Sequence, residues 1–134
     1  MTPMDELPIQ SGDDVVRVRQ QVRVVAAETG LSLVDQTKVV TAASELARNA
    51  LVHGGGGTAR VEAVTSGQGR SGVRIVFADE GPGIADLDLA LSDGWSSGDG
   101  LGLGLSGARR LVDEFELTTK AEGGTSVVVV KWSR

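Results

Sequence analysis

Val73-Arg74-Ile75-Val76-Phe77-Ala78-Asp79-Glu80-Gly81-Pro82-Gly83-Ile84 reads as a strand that runs straight into a glycine turn. Val73, Ile75 and Phe77 alternate with Arg74, Val76 and Ala78, which is the period of a strand. Upstream, Gly67-Gln68-Gly69-Arg70-Ser71-Gly72 is a hairpin loop and 58–65 is the preceding strand. Two amphipathic segments come before it. Val15, Val18, Val22, Val25 and Ala26 form a helical stripe, with Asp13 or Asp14 as the cap, a run to about Thr29 and Gly30 as the stop. Ser32 and Asp35 resemble a capping box. They open a second helix over 34–53, whose stripe is Val39, Ala42, Ala43, Leu46 and Ala50. Residues 5–10 suit a short edge strand. Downstream, 79–104 is rich in Gly and Asp, with a helical turn around 87–91. A third helix is expected over 105–114, then strands over 116–121 and 125–132 joined at Glu122-Gly123-Gly124. This order predicts an α+β fold, a two-layer α/β sandwich with helices on one face of a mixed sheet.

The chain has 134 residues, which suits one domain spanning 1–134. Aromatics make up only 3% of it, so the core must be built from Val, Leu, Ile and Ala. The net charge is -5 and no basic block is present, which argues against nucleic acid as a partner. With no cysteine, disulfides, thiolate zinc sites and cysteine nucleophiles are excluded. The first residues carry Asp5 and Glu6 and do not resemble a signal peptide. The longest apolar run, 127–130, is far too short to span a bilayer. A cytoplasmic protein without membrane contact is expected.

Three separated segments carry chemistry. In Glu45-Leu46-Ala47-Arg48-Asn49, helical spacing puts Glu45, Asn49 and His53 on one line beside the core stripe. Asn is a poor interior helix former. Its amide oxygen is a plausible hard ligand for magnesium, and Glu45, one turn earlier, could take or orient the proton of an attacking hydroxyl. A solvated helix face would also explain the charged residues. At the second segment, the Asp79 carboxylate can accept a hydrogen bond from an adenine amino group. Gly81 and Gly83 let backbone approach a flat ring, although a plain strand exit uses the same residues.

The third segment is Gly98-Asp99-Gly100-Leu101-Gly102-Leu103-Gly104-Leu105. Gly102 to Gly107 matches G-x-G-x-x-G, but a polar loop precedes it where a dinucleotide site needs a buried strand. The partner motifs of a protein-kinase glycine loop and a Walker A sequence are missing too. What remains is a glycine loop feeding a helix. The amides of Gly102, Gly104 and Leu105 there could hold phosphate oxygens. Leu101, Leu103 and Leu105 suit a lid that packs its leucines on closing. No Lys or Arg occurs between Ile84 and Ala108, so phosphate charge would fall to a metal ion, amides and the helix dipole. Together the segments predict an ATP site that uses magnesium. Thr125 could reach the base, though threonine is also an ordinary strand residue. Trp95 and Trp132 are expected to pack or to face a partner.

In order and context the three segments resemble the N, G1 and G2 boxes of the GHKL ATPase family, which has the Bergerat fold. Glu45 and Asn49 match the N box, Asp79-x-Gly81-x-Gly83 the G1 box and Gly100-x-Gly102-x-Gly104 the G2 box. The dimerisation helices and acceptor histidine of a sensor kinase are missing. The chain is similar instead to the stand-alone anti-sigma-type serine/threonine kinases of bacteria, and among them to stressosome switch kinases. Val34-Asp35-Gln36, Asp93-Gly94-Trp95-Ser96-Ser97, Arg110-Leu111-Val112-Asp113-Glu114-Phe115 and Lys131-Trp132 extend the likeness over nearly the whole chain.

This resemblance implies an ATP- and Mg2+-dependent kinase of serine or threonine on STAS-domain antagonist and scaffold proteins (RsbS/RsbR-like). Such a protein also switches partners to activate a PP2C-type phosphatase (RsbU-like). Glu45 would be the catalytic base, Asn49 the magnesium ligand, and Asp79 the adenine acceptor with Thr125 assisting. Gly81 and Gly83 would shape the base pocket, and Gly100, Gly102, Leu103, Gly104 and Leu105 the phosphate lid. Asn49-Ala50-Leu51-Val52-His53 also suits anti-sigma factors that bind a sigma factor directly. A non-catalytic ATP-gated binding module is a third reading.

Overall fold

The computed structural model describes residues 6–52, 55–79, 104–119 and 124–134. Its elements are β1 (Glu6–Ile9), α1 (Gly12–Glu28), α2 (Leu33–Val52), β2 (Gly57–Thr65), β3 (Ser71–Asp79), α3 (Gly104–Leu111), β4 (Glu114–Thr119) and β5 (Thr125–Trp132).

Local chemistry sets the helix ends. Ser11 caps α1, its hydroxyl accepting from the Asp14 N–H at 3.3 Å. The expected cap, Asp13 or Asp14, is therefore corrected to Ser11. Asp14 lies in the first turn, and its carboxylate reaches back to accept from the Gln10 N–H at 2.8 Å. At the other end Gly30 takes φ 82. The N–H groups of Gly30 and Leu31 donate to the carbonyls of Ala27 and Ala26, which closes the helix in a Schellman motif. Ser32 caps α2 as expected, accepting from the Asp35 N–H at 3.1 Å. The Asp35 carboxylate does not close the box. It binds Arg134 at 3.1 Å instead.

The five strands lie in the order β1-β2-β3-β5-β4. All four pairings are antiparallel, which corrects the expected mixed sheet. The reason is topological. β3 and β4 run the same way, but β5 turns back and inserts between them, so no parallel pair forms among the described residues.

Val73, Ile75 and Phe77 of β3 and Val127 and Val129 of β5 are buried on the face that carries the helices. They meet Val18, Val22, Val39, Ala43 and Leu46 in one core. Ala42, Ala43, Ala47 and Ala50 are all buried on α2. Such small side chains let α2 lie close to its neighbours, which suits a chain poor in aromatics. The opposite sheet face is polar in part: Arg74 and Glu62 are cross-strand partners joined at 2.8 Å. Among the described residues no helix is long and apolar enough to cross a membrane.

α3 ends at Leu111 and β4 starts at Glu114, both earlier than the sequence pattern predicts. Asp113 explains the difference. Its N–H donates to the Val130 carbonyl at 2.9 Å, and its carboxylate accepts from the Trp132 N–H at 2.8 Å. The helix is cut short by contacts with a strand far along the chain.

Candidate active site

At one end of the sandwich α2 finishes, β2 begins, β3 finishes and β5 begins. The Gly56 N–H donates to the Ala50 carbonyl at 2.9 Å and ties the end of α2 to the start of β2. Asp79 stands in register with Gly57 on one side and Thr125 on the other. By strand alternation, Asp79 follows Phe77 and Thr125 precedes Val127 on the helix-facing side. Two residues 46 positions apart in sequence thus become cross-strand neighbours. Gly57 is required opposite Asp79, since a Cβ there would sit 2.1 Å from the Ala78 carbonyl oxygen.

Glu45 and Asn49 lie on α2, one turn apart. Asn49 is half-buried, and its Oδ1 is buried with no hydrogen-bond partner among the described residues. Leaving a buried amide oxygen unpaired is costly. A hard cation would remove that cost, so Asn49 fits the magnesium expected here. No group of three His, Asp or Glu side chains gathers among the described residues. A cation at Asn49 would then take its remaining oxygens from phosphate and water, the usual habit of magnesium.

On the other side of Glu45 a groove of about 290 Å³ opens between α1 and α2, with Arg19, Ser44 and Arg48 in its lining. Glu45 is half-buried at this groove. Around the helix axis Asn49 is about 40° to one side of Glu45 and Arg48 about 60° to the other. Glu45 therefore stands between the candidate metal ligand and the groove.

Gly104 opens α3, and Leu105 is buried against the core. Ser106, which the sequence pattern does not single out, is 3% exposed, and its hydroxyl too has no partner among the described residues. A serine held between the core residues Leu105 and Ala108 was the available signal. Gly81, Gly83, Gly100, Gly102 and Leu103 lie outside the described residues, as do His53, Trp95 and the turn expected at 87–91. Trp132 packs, as expected. Its ring lies over Gly72, where a Cβ would meet it at 2.6 Å, and its Nε1–H donates to Glu114 at 2.6 Å.

At the far end of the sandwich, Lys131 is 3% exposed, with its Nζ 3.7 Å from Asp35 and 3.4 Å from Asp113. Burial pushes the Asp35 carboxyl up. The hydrogen bond from Arg134 and the charges of Lys131, Arg134 and Lys38 outweigh it and hold the group below its ordinary value.

Residues 10–131 match the family of histidine kinase-like ATPase domains. The serine/threonine-protein kinase RsbT of Bacillus subtilis (strain 168) is 45% identical over 121 residues, covering 90% of each chain. Among solved structures, the RsbU and RsbW domains of a Mycobacterium tuberculosis protein superpose with a TM-score of 0.65 and 26% identity, over 99% of this chain and 33% of that one. Full-length ShkA in complex with AMPPNP superposes with a TM-score of 0.59 and 22% identity, over 89% of this chain and 29% of that one. At that identity ShkA shows the fold alone.

Proposed function

The chain belongs to the histidine kinase-like ATPase family and is an ATP-dependent protein serine/threonine kinase; we propose that it phosphorylates STAS-domain antagonist and scaffold proteins and switches partners to activate a PP2C-type phosphatase in bacterial stress signalling. The observation that carries the site assignment is the buried, unpartnered Asn49 Oδ1 one turn from Glu45, at the end of the sandwich where Asp79 and Thr125 come into register.

In this reading the adenine amino group donates to Asp79, and the Thr125 hydroxyl lies beside it. The Gly104 and Leu105 amides, at the start of α3, hold phosphate oxygens. Asn49 would ligate magnesium, which supplies charge neutralisation on the phosphates. Glu45 accepts the proton of the acceptor hydroxyl as its oxygen bonds to the γ-phosphorus and the bond to the β-phosphate oxygen breaks. ADP leaves, and the acceptor carries the phosphoryl group. Activation of the phosphatase is a binding step and needs no transfer.

The test is transfer of radiolabelled phosphate from ATP to a recombinant STAS-domain antagonist, with Glu45→Ala as control. Labelling should fall by a factor of about 100 or more in Glu45→Ala. ATP affinity should stay within about twofold, because a general base matters for turnover and little for binding. Intact ATP binding without any labelling would point to a binding switch, and recovery of a sigma factor would then favour direct anti-sigma action.

A further inference from the structure

We infer that the groove between α1 and α2 seats the acceptor segment of the protein substrate, and that Arg19 and Arg48 select an acidic side chain next to the acceptor hydroxyl. This inference rests on the kinase reading above.

The groove is lined by residues of both helices, with Val15 and Leu51 supplying apolar contact and Arg19, Ser44, Glu45 and Arg48 the polar groups. At about 290 Å³ it is at the small end of ligand pockets. It suits one or two side chains of an inserted segment.

Its charges are unspent. Arg19 and Arg48 are both exposed. Arg17, Arg60, Arg74, Lys131 and Arg134 form ion pairs, while neither groove arginine has an ion-pair partner among the described residues. Glu45 lies one turn before Arg48 on α2 and does not pair with it. Two open guanidinium groups in a chain of net charge -5 form a local field opposite to that of the molecule. Guanidinium forks match carboxylate geometry.

Their position separates them from the nucleotide. Around α2, Asn49 and Arg48 flank Glu45 and stand about 100° apart. Arg19 comes from α1, across the groove. A base must touch the acceptor on one side and face the phosphate on the other. The arginines lie on the acceptor side, beside Ser44, while the orphaned Asn49 oxygen marks the nucleotide side.

The test compares steady-state constants for Arg19→Ala, Arg48→Ala and Arg19→Lys with the unaltered protein, using ATP, magnesium and a recombinant STAS-domain antagonist as acceptor. Each alanine variant should raise KM for the acceptor roughly tenfold, with kcat and KM for ATP within about twofold. Arg19→Lys should recover only part of the affinity, since an ammonium keeps the charge and not the fork. Rising salt should weaken acceptor binding by the unaltered protein more than by the double alanine variant. Neutralising the acidic residues that flank the labelled hydroxyl should reproduce the loss, and add nothing in the double variant. Unchanged acceptor KM in both alanine variants would overturn the inference alone. A rise confined to KM for ATP would also overturn it and assign the arginines to the nucleotide. An acceptor never labelled by the unaltered protein would instead sink the kinase reading, and this inference with it.

Discussion

In the proposed site Asn49 and Asp79 divide the nucleotide between them, and their substitution should separate two kinds of loss. Asn49 contributes a buried amide oxygen with no partner among the described residues, suited to a cation. Asn49→Ala should lower ATP affinity in magnesium about tenfold or more, while affinity measured in a chelator changes little. Asp79 offers a carboxylate opposite Thr125, where a base donor would bind. Asp79→Asn should weaken ATP with and without magnesium by a similar factor, since Asp79 is proposed to hold the base and not the metal. Titration calorimetry in the two buffers distinguishes them. Equal losses for both variants in both buffers would refute the division of roles. Glu45 and Asn49 were legible in the sequence because a helix of known phase aligns them. The place of Arg19 in the groove was not, because it depends on which face of α1 packs beside α2.

At the scale of elements, the site depends on ends. α1 starts at a capping serine and stops at a glycine with φ 82, so its length follows from local chemistry. Ser11→Ala removes the acceptor for the Asp14 N–H and should destabilise the protein by about 1 kcal/mol in urea unfolding. The β2–β3 pair is limited by Gly57. A Cβ there would lie 2.1 Å from the Ala78 oxygen and 3.1 Å from the Asp79 Cα. Gly57→Ala should therefore cost roughly 1–3 kcal/mol. It should also lower ATP affinity, because the strand has to shift where it presents Asp79. Stability and nucleotide affinity that both match the unaltered protein would show that this strand end can move freely. The cap of α1 was misread locally, since Ser11, Asp13 and Asp14 are adjacent candidates with the same preference.

Across the whole molecule, the active end is balanced by a charged anchor at the opposite end. Lys131 of β5 reaches Asp35 of α2 and Asp113 of the α3–β4 turn, and Arg134 closes on Asp35. These contacts join the helix layer to the sheet where it has no ligand to help. Because the folded Asp35 pKa is lowered, its contribution is fully present above the ordinary value of 3.8. It is lost as pH falls from there through the lower folded value. Asp35→Asn should reduce stability at neutral pH and flatten the loss below pH 3.8. Urea unfolding across that range checks both, and an acid limb unchanged in the variant would assign the loss to other carboxylates.

Local patterning sufficed to place the helices and strands and to indicate the kind of chemistry. The stripes of α1 and α2, the alternation of β3 and the bounds of β5 follow from local periodicity, which needs no knowledge of what lies opposite. Glu45, Asn49, Asp79 and the glycines ahead of α3 could be proposed for the site from residue type and spacing. Tertiary structure alone decided what meets what. It inserted β5 between β3 and β4 and so made every pairing antiparallel. It set Thr125 opposite Asp79, ended α3 at Asp113, and brought Arg19 to the groove beside Glu45. Each of these rests on contacts between residues far apart in the chain, whose partners are chosen by burial and hydrogen bonding across the fold rather than by any neighbour in sequence.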